Sequence, residues 1–206
     1  MKKGLFIALM LFSLCGIISI NCSCFRHSRE TEKVGYKVVN CYTPNYTEGR
    51  TNSVEGVILH HAASSSLESA IGGFTTLGGL SAHCLIDYDG TRYIFCRPEV
   101  VAWHAGKSIL NGRKSCNFFT IGIEFWGDTN REPLTEDQIK SAIEYLKPII
   151  TQYHIPLANI ATHKMVRDAY KKKYPKDDVP TKSDITDVEY KRFMRELEEA
   201  MNENPE

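Results

Sequence analysis

An acidic residue lies inside an otherwise apolar segment near the middle of this chain. Residues 121–126 have the sequence IGIEFW, which is typical of a strand in the core of a sheet. Removing a carboxylate from water is costly, so a buried Glu124 is expected to have a raised pKa, in the range where a general base works at neutral pH. The segment therefore predicts a core strand and a candidate catalytic residue.

Two distant histidines, His60 and His163, each follow an apolar run and precede polar sequence. Metal ligands commonly lie where strands end and loops begin. A single histidine at such a place is more often hydrogen-bonded to backbone, so each is weak evidence alone. By strand alternation, His61 should face away from His60.

The segment Lys182-Ser183-Asp184 supplies further candidates. Imidazoles from His60 and His163 and a carboxylate from Asp184 would leave one tetrahedral position open on a zinc ion. Glu124 would then take the proton of a water activated by the zinc, and Lys182 would stabilise the developing oxyanion. The alternative for Lys182 is a solvated surface lysine.

A third cluster, residues 103–106, has the sequence WHAG. Trp103 is a candidate aromatic anchor in a loop. His104 is a candidate for contact with a substrate or a transition state.

The composition is that of a globular domain with a real core. Of its 206 residues, 42% are apolar and 24% are charged, and the formal net charge is zero. Zero net charge argues against binding nucleic acid through phosphate contacts. Strand and helix patterns interleave, which predicts a mixed α/β fold with a central mixed sheet flanked by helices.

The N-terminus predicts export. Lys2 and Lys3 precede a nearly unbroken apolar stretch over residues 5–20, which is short for a membrane span. We expect residues 1–24 to be a signal peptide or a lipoprotein signal, with Cys22 or Cys24 as possible sites of a lipid anchor. Residues 25–52 would form a linker and arm, and residues 53–202 a single domain.

The predicted location is therefore the periplasm or the outer membrane, with no membrane span in the mature protein and a monomeric state. Four cysteines remain in the predicted domain and arm, namely Cys41, Cys84, Cys96 and Cys116. They allow three disulfide pairings, and free buried thiols are the alternative.

Several elements carry clear sequence signals. Residues 54–61 predict a strand, residues 67–71 a short helix that ends at Gly72 and Gly73, and residues 84–95 a hairpin around Asp89-Gly90. A capping box of Thr135 and Gln138 predicts the start of one helix. A second capping box, of Thr186 and Glu189, predicts the start of another. Residues 164–173, between these helices, are expected to form a lysine-rich loop after His163.

The ordered motifs resemble a known family. Residues 81–86 (SAHCLI) with Asp89-Gly90, residues 103–106, residues 111–113 (NGR), Cys116-Asn117 and residues 121–124 follow one another as in the zinc-dependent N-acetylmuramoyl-L-alanine amidases of the second amidase family. This family includes phage lysozyme-type amidases and peptidoglycan recognition proteins. The resemblance covers about residues 53–197 and is greatest to the bacterial branch that acts on anhydro-muropeptides.

The resemblance implies a function and a site. It implies one zinc ion on His60, His163 and Asp184, with Glu124 and Lys182 catalytic. It also implies that Trp103, His104 and Asn117 bind the substrate. The implied reaction hydrolyses the amide between N-acetylmuramic acid and L-alanine in peptidoglycan or muropeptides.

The chain also departs from the family pattern. His163 and Asp184 are 21 positions apart, across a lysine-rich insertion, where the family usually has about nine residues. Asp168, Asp177 and Asp178 are therefore competing candidates for the third ligand. A non-catalytic protein that binds peptidoglycan fragments is the alternative function.

Overall fold

A six-stranded mixed β-sheet forms the centre of the fold in the computed structural model, which describes residues 35–50, 52–182 and 184–203. In sheet order the strands are β1 (Val38–Asn40), β5 (Arg92–Ile94), β4 (Cys84–Ile86), β9 (Thr120–Trp126), β3 (Gly56–Ala62) and β10 (Ile160–Thr162). All neighbouring pairs are parallel except the hairpin of β4 and β5. The predicted mixed α/β class is confirmed.

Two short antiparallel pairs lie outside the main sheet. One joins β2 (Tyr46–Thr47) to β6 (Val101–Ala102), and the other joins β7 (Ile109–Leu110) to β8 (Arg113–Lys114). The β7–β8 pair is followed by a single 3-10 turn, Cys116–Phe118, which leads directly into β9.

Four helices cover the two faces of the sheet. They are α1 (Leu67–Thr75), α2 (Glu136–Tyr153), α3 (His163–Lys173) and α4 (Asp187–Asn202). Side chains alternate along a strand, so Leu59 and Ile123 share one face and pack in the cluster that includes α2 and α4. Ile58, on the opposite face, packs in the cluster that includes Val166 of α3.

Both long C-terminal helices start where their caps predict. Thr135 and Gln138 form the predicted capping box of α2, with both hydrogen bonds at 3.0 Å. The hydroxyl of Thr186 accepts from the backbone N–H of Glu189 at 3.4 Å. The carboxylate of Glu189 accepts from the N–H of Leu134 at 3.0 Å, so it ties α4 to the start of α2 instead of closing a box.

Two local predictions were wrong, and tertiary packing explains both. Helix α1 continues through Gly72 and Gly73, because its Ser66 cap starts it and Phe74 packs on Phe95 at its far end. The expected lysine-rich loop is helix α3. Its cap is Thr162 and its three last lysines lie at the C-terminus, where the helix dipole favours positive charge.

The N-terminal arm belongs partly to the sheet. Strand β1, inside the arm predicted over residues 25–52, pairs with β5 as an edge strand. Irregular composition gave no indication of this pairing. The predicted signal over residues 1–24, with Cys22 and Cys24, lies outside the described residues.

None of the described helices is long and apolar enough to cross a membrane.

The four remaining cysteines are free thiols. Cys84, Cys96 and Cys116 are buried and Cys41 is partly buried. No disulfide joins these four residues. The alternative of free thiols is thus the one that the structure shows.

We predict that Gly72→Ala stabilises the protein. A Cβ at Gly72 would meet no atom within 4 Å, and alanine loses less backbone entropy than glycine in a helix, so the free energy of unfolding should rise by about 0.5–1 kcal/mol. Urea denaturation measures the change. Gly90→Ala is the opposed control, because Gly90 has φ +81° and a Cβ there would overlap the ring of Tyr36. A loss of stability in Gly72→Ala would contradict the packing described for α1.

Candidate metal centre

The register of three parallel strands places the candidate residues side by side. His60 on β3 is paired with Glu124 on β9, and both side chains therefore leave the same face of the sheet. Thr162 on β10 is paired with Leu59, so His163 follows at the level of His60. Ligands of open α/β sheets bind at the carboxyl ends of strands, which is where these groups lie.

Asp184 completes a three-residue cluster with the two histidines. One potential ligand atom from each of His60, His163 and Asp184 lies within 4.8 Å of the others. The Nδ1 atom of His163 is 3.4 Å from the Oδ2 atom of Asp184. This arrangement is what a tetrahedral cation with nitrogen and oxygen ligands requires.

The competing aspartates are elsewhere. Asp168 pairs with the guanidinium of Arg167 at 3.1 Å, and Asp177 accepts from the hydroxyl of Tyr170 at 2.7 Å. The side chain of Asp178 is exposed, and its backbone carbonyl accepts from Lys107. Among the described residues, Asp184 is the aspartate that meets the two histidines.

The charge states of the cluster suit a cation. Burial lowers the pKa of His60 well below its usual value, and burial also lowers that of His163 to about 4. Both imidazoles are therefore neutral at pH 7, with a lone pair available to a metal. The Oδ2 atom of Asp184 is buried without a hydrogen-bond partner, an arrangement that is costly unless a cation or another donor meets it.

Glu124 lies beside the cluster and is shielded from water. Its pKa is raised to about 8, first by burial and then by the negative charge of Asp184, while Lys182 opposes the shift. Burial also raises the pKa of Asp184, to about 7. Two carboxylates in one dry site disfavour each other's ionisation, and a bound cation would favour the ionised form of both.

These groups line a cavity of about 330 Å³. Its floor holds His60, Glu124, His163 and Asp184, and Lys182 lies at its edge with an exposed side chain. Helix α1 forms one wall through Ser69 and Phe74. No sequence motif indicated a role for this helix beyond the fold.

The three predicted substrate residues have different places. His104 is buried, lines the cavity, and its Nδ1 atom lies 3.1 Å from the Nε2 atom of His60. Trp103 is 37% exposed and packs edge-to-face against Phe118. Asn117 is buried, and its side-chain oxygen accepts from the backbone N–H groups of His104 and Ala105. Substrate contact by these residues stays a prediction, and neither Trp103 nor Asn117 lines the cavity.

Gly122 is a site residue that sequence reasoning missed. A Cβ at Gly122 would lie 2.4 Å from the ring of His104, so only glycine lets this ring pack on β9. A glycine inside a strand pattern is a known sign of close approach, and it was present in the sequence.

The family comparison agrees with this geometry. Residues 50–179 match the family profile described as N-acetylmuramoyl-L-alanine amidase. The chain belongs to this amidase family. The matched range contains His60, Glu124 and His163. It ends within the insertion that follows His163, before Lys182 and Asp184.

Curated amidases are similar to part of the chain. The 1,6-anhydro-N-acetylmuramyl-L-alanine amidase AmpD of Enterobacter cloacae is 39% identical over 84 residues, which are 41% of this chain and 44% of that protein. The N-acetylmuramoyl-L-alanine amidase AmiD of Escherichia coli K12 is 28% identical over 147 residues, 64% of this chain and 51% of that protein. The chain thus spans about half the length, or less, of the curated relatives that it matches.

Solved amidases share the fold. A selenomethionine derivative of AmpD superposes with a TM-score of 0.62 at 23% identity, covering 80% of this chain and 95% of that one. AmiD of E. coli, solved with the substrate anhydro-N-acetylmuramic acid-L-Ala-D-gamma-Glu-L-Lys, gives a TM-score of 0.50 at 23% identity, covering 65% of this chain and 54% of that one. At these identities the likeness supports the amidase fold alone.

We predict a specific pH dependence of stability for the metal-free protein. The folded state keeps a proton on Glu124 up to about pH 8, whereas the unfolded chain releases it near pH 4.5. The folded state therefore binds more protons in this window, and the free energy of unfolding should fall as the pH rises through it. Glutamine does not titrate, so wild type should lose about 2–4 kcal/mol more than Glu124→Gln between pH 5 and pH 8.

Urea denaturation in the presence of a chelator, at both pH values, measures this difference. Asp184 titrates in both proteins, so its contribution largely cancels in the comparison. Equal pH dependence in the two proteins would show that Glu124 is not shielded as described.

Proposed function

We propose that this protein is a zinc-dependent amidase that hydrolyses the bond between N-acetylmuramic acid and L-alanine in peptidoglycan or muropeptides. The observation that carries the proposal is the convergence of His60, His163 and Asp184 beside the buried carboxylate of Glu124. The names of the similar amidases, AmpD and AmiD, support the bond and the substrate class.

The residues present fit a zinc ion. Two neutral imidazoles and a buried carboxylate oxygen without a hydrogen bond supply three ligands of the types that zinc prefers. When bound by His60, His163 and Asp184, zinc supplies Lewis acidity, which lowers the pKa of a water and polarises a carbonyl.

Glu124 would act as the general base and then as the general acid. Its carboxylate lies in register with His60 and lines the same cavity as the three ligand candidates. A raised pKa near neutrality lets one group take the proton of the water and give it to the leaving amide nitrogen. Its burial keeps bulk water from competing for that proton.

Lys182 would stabilise the oxyanion that forms on the scissile carbonyl. Its ammonium group is close enough to influence the pKa values of Glu124, His163 and Asp184, and the residue lines the same cavity. Its backbone carbonyl accepts from Arg167 of α3 at 3.0 Å, which fixes the segment that carries it. A positive charge aimed at developing negative charge is a large source of catalysis in a dry site.

The exposed aromatic pair of Trp103 and Phe118 is the proposed contact for the muramic acid part of the substrate. Both side chains are more than one-third exposed, and their rings are 5.7 Å apart. Flat apolar rings of this kind offer surface for the faces of sugar rings.

We also propose that the protein works outside the cytoplasm. The support is the apolar stretch over residues 5–20 with two preceding lysines. Cys22 or Cys24 would carry a lipid anchor if the signal is that of a lipoprotein. Radiolabelled palmitate incorporation in Cys22→Ala and Cys24→Ala variants distinguishes the two positions from each other and from an unlipidated signal.

We predict that Glu124→Gln abolishes most of the activity while keeping the metal site. Glutamine has nearly the same shape but cannot accept a proton, so turnover of muropeptides should fall by about two to four orders of magnitude. Release of stem peptide, measured by chromatography, gives the rate. Glu132→Gln, at an exposed position outside the cavity, is the matched control. Full activity of Glu124→Gln would assign the base elsewhere.

Asp184→Asn should lose the zinc ion. Wild type is expected to hold about one zinc per chain after dialysis, and loss of the only anionic ligand should leave far less. Metal analysis by mass spectrometry measures the content. Asp178→Asn, an exposed aspartate of the same insertion, should retain the wild-type content. Equal zinc in all three proteins would remove Asp184 from the ligand set.

A further inference from the structure

The ring of His104 joins a metal-ligand candidate to the protein interior. Its Nδ1 atom lies 3.1 Å from the Nε2 atom of His60, and its Nε2 atom lies 3.4 Å from the hydroxyl oxygen of Thr120. The two rings meet edge-to-face, with an interplanar angle of 88°. At this distance one of the two nitrogens donates a hydrogen bond and the other accepts it.

The hydrogen bonds of the Thr120 hydroxyl determine which ring nitrogen of His104 carries the hydrogen. That hydroxyl donates its own proton to the carbonyl of Cys116 at 2.8 Å, so toward His104 its oxygen can only accept. This contact requires the Nε2 atom of His104 to carry the hydrogen.

The tautomer of His60 follows from that of His104. Both rings are buried, and a neutral imidazole holds one N–H. With its hydrogen on Nε2, His104 has a bare Nδ1 atom and accepts from the Nε2–H of His60. The Nδ1 atom of His60 is then without a hydrogen and free to bind a cation.

The backbone around His104 is fixed from two sides. The side-chain oxygen of Asn117 accepts from the N–H groups of His104 and Ala105 at 3.1 and 2.8 Å. The absent side chain of Gly122 makes the space in which the ring of His104 packs on β9. The position of this ring is therefore determined before any ligand arrives.

We propose that His104, held in place by Asn117 and Gly122, fixes His60 in the tautomer that presents Nδ1 to the cation. His104 and Asn117 are then positioning residues, not groups that touch the substrate. The inference rests on the proposed function for the identity of the cation. The hydrogen-bond chain from His60 to Cys116 does not depend on that identity.

Zinc affinity tests the role of His104. His104→Leu removes the acceptor for His60 and should weaken zinc binding by about 10- to 100-fold, as loss of an outer hydrogen bond to a ligand typically does. His104→Asn keeps an acceptor oxygen near the position of Nδ1 and should remain within a few-fold of wild type. Competition with a chromophoric chelator measures each dissociation constant.

A matched control separates this effect from general destabilisation. His61 is buried beside His60 but faces the other way, where its Nδ1 atom accepts from the backbone N–H of Thr129 at 3.1 Å. His61→Asn keeps an acceptor for that bond and should retain wild-type zinc affinity. Zinc affinity in His104→Leu equal to that of wild type would overturn the proposal. So would equal losses in His104→Leu and His104→Asn.

Nitrogen NMR on the metal-free protein tests the hydrogen-bond chain directly. We expect His60 and His104 each to carry their hydrogen on Nε2, with the Nε2–H of His60 protected from exchange with water in wild type and exposed to it in His104→Leu. A hydrogen on Nδ1 of His60 would overturn the proposal. The spectrum of His60→Gln identifies the signal.

The two readouts distinguish failure of this inference from failure of the proposed function. A wild-type protein that binds no zinc would contradict the proposed function, and the NMR result would still confirm or overturn the chain. A cadmium-substituted protein in which the metal couples to Nε2 of His60 would contradict the positioning role alone, since the metal site itself would be present.

Discussion

The parallel register of β3 and β9 is the constraint on which the site depends. It sets His60 opposite Glu124 at the ends of two buried strands, and β10 brings His163 to the same level. A shift of one residue would turn either side chain to the face that packs against α2 and α4. The apolar residues that alternate with His60 and Glu124 fill that second face, so the packing of the core and the geometry of the site are fixed together.

The sequence predicted the parts of the fold that local chemistry decides. The capping residues of α2 and α4, the Asp89-Gly90 hairpin and the two central strands all carry their own signals. The last turn of helix α1 and the whole of helix α3 were missed, because glycines and lysines are poor guides when a cap and a buried face favour a helix. The residues Phe74 and Val166, which pack these helices on the sheet, have no distinctive spacing.

The site was predictable in its residue types but not in its contacts. Glu124 was visible because a carboxylate in an apolar strand is rare, whereas Asp184 follows a helix and a turn that no spacing rule anticipates. The motif over residues 103–106 indicated chemistry, and the family resemblance assigned Trp103 and His104 to contact with the substrate. Only the positions of Asn117, Thr120 and Gly122 around the ring of His104 indicate support.

A crystal structure of the zinc-loaded protein, with anomalous data at the zinc edge, tests the central claim most directly. The account predicts one strong peak at about 2.0–2.2 Å from a nitrogen of His60, a nitrogen of His163 and an oxygen of Asp184. It also predicts that Glu124 is close by but not a ligand. A zinc ion bound by Glu124 in place of Asp184, or one located away from the two histidines, would contradict it.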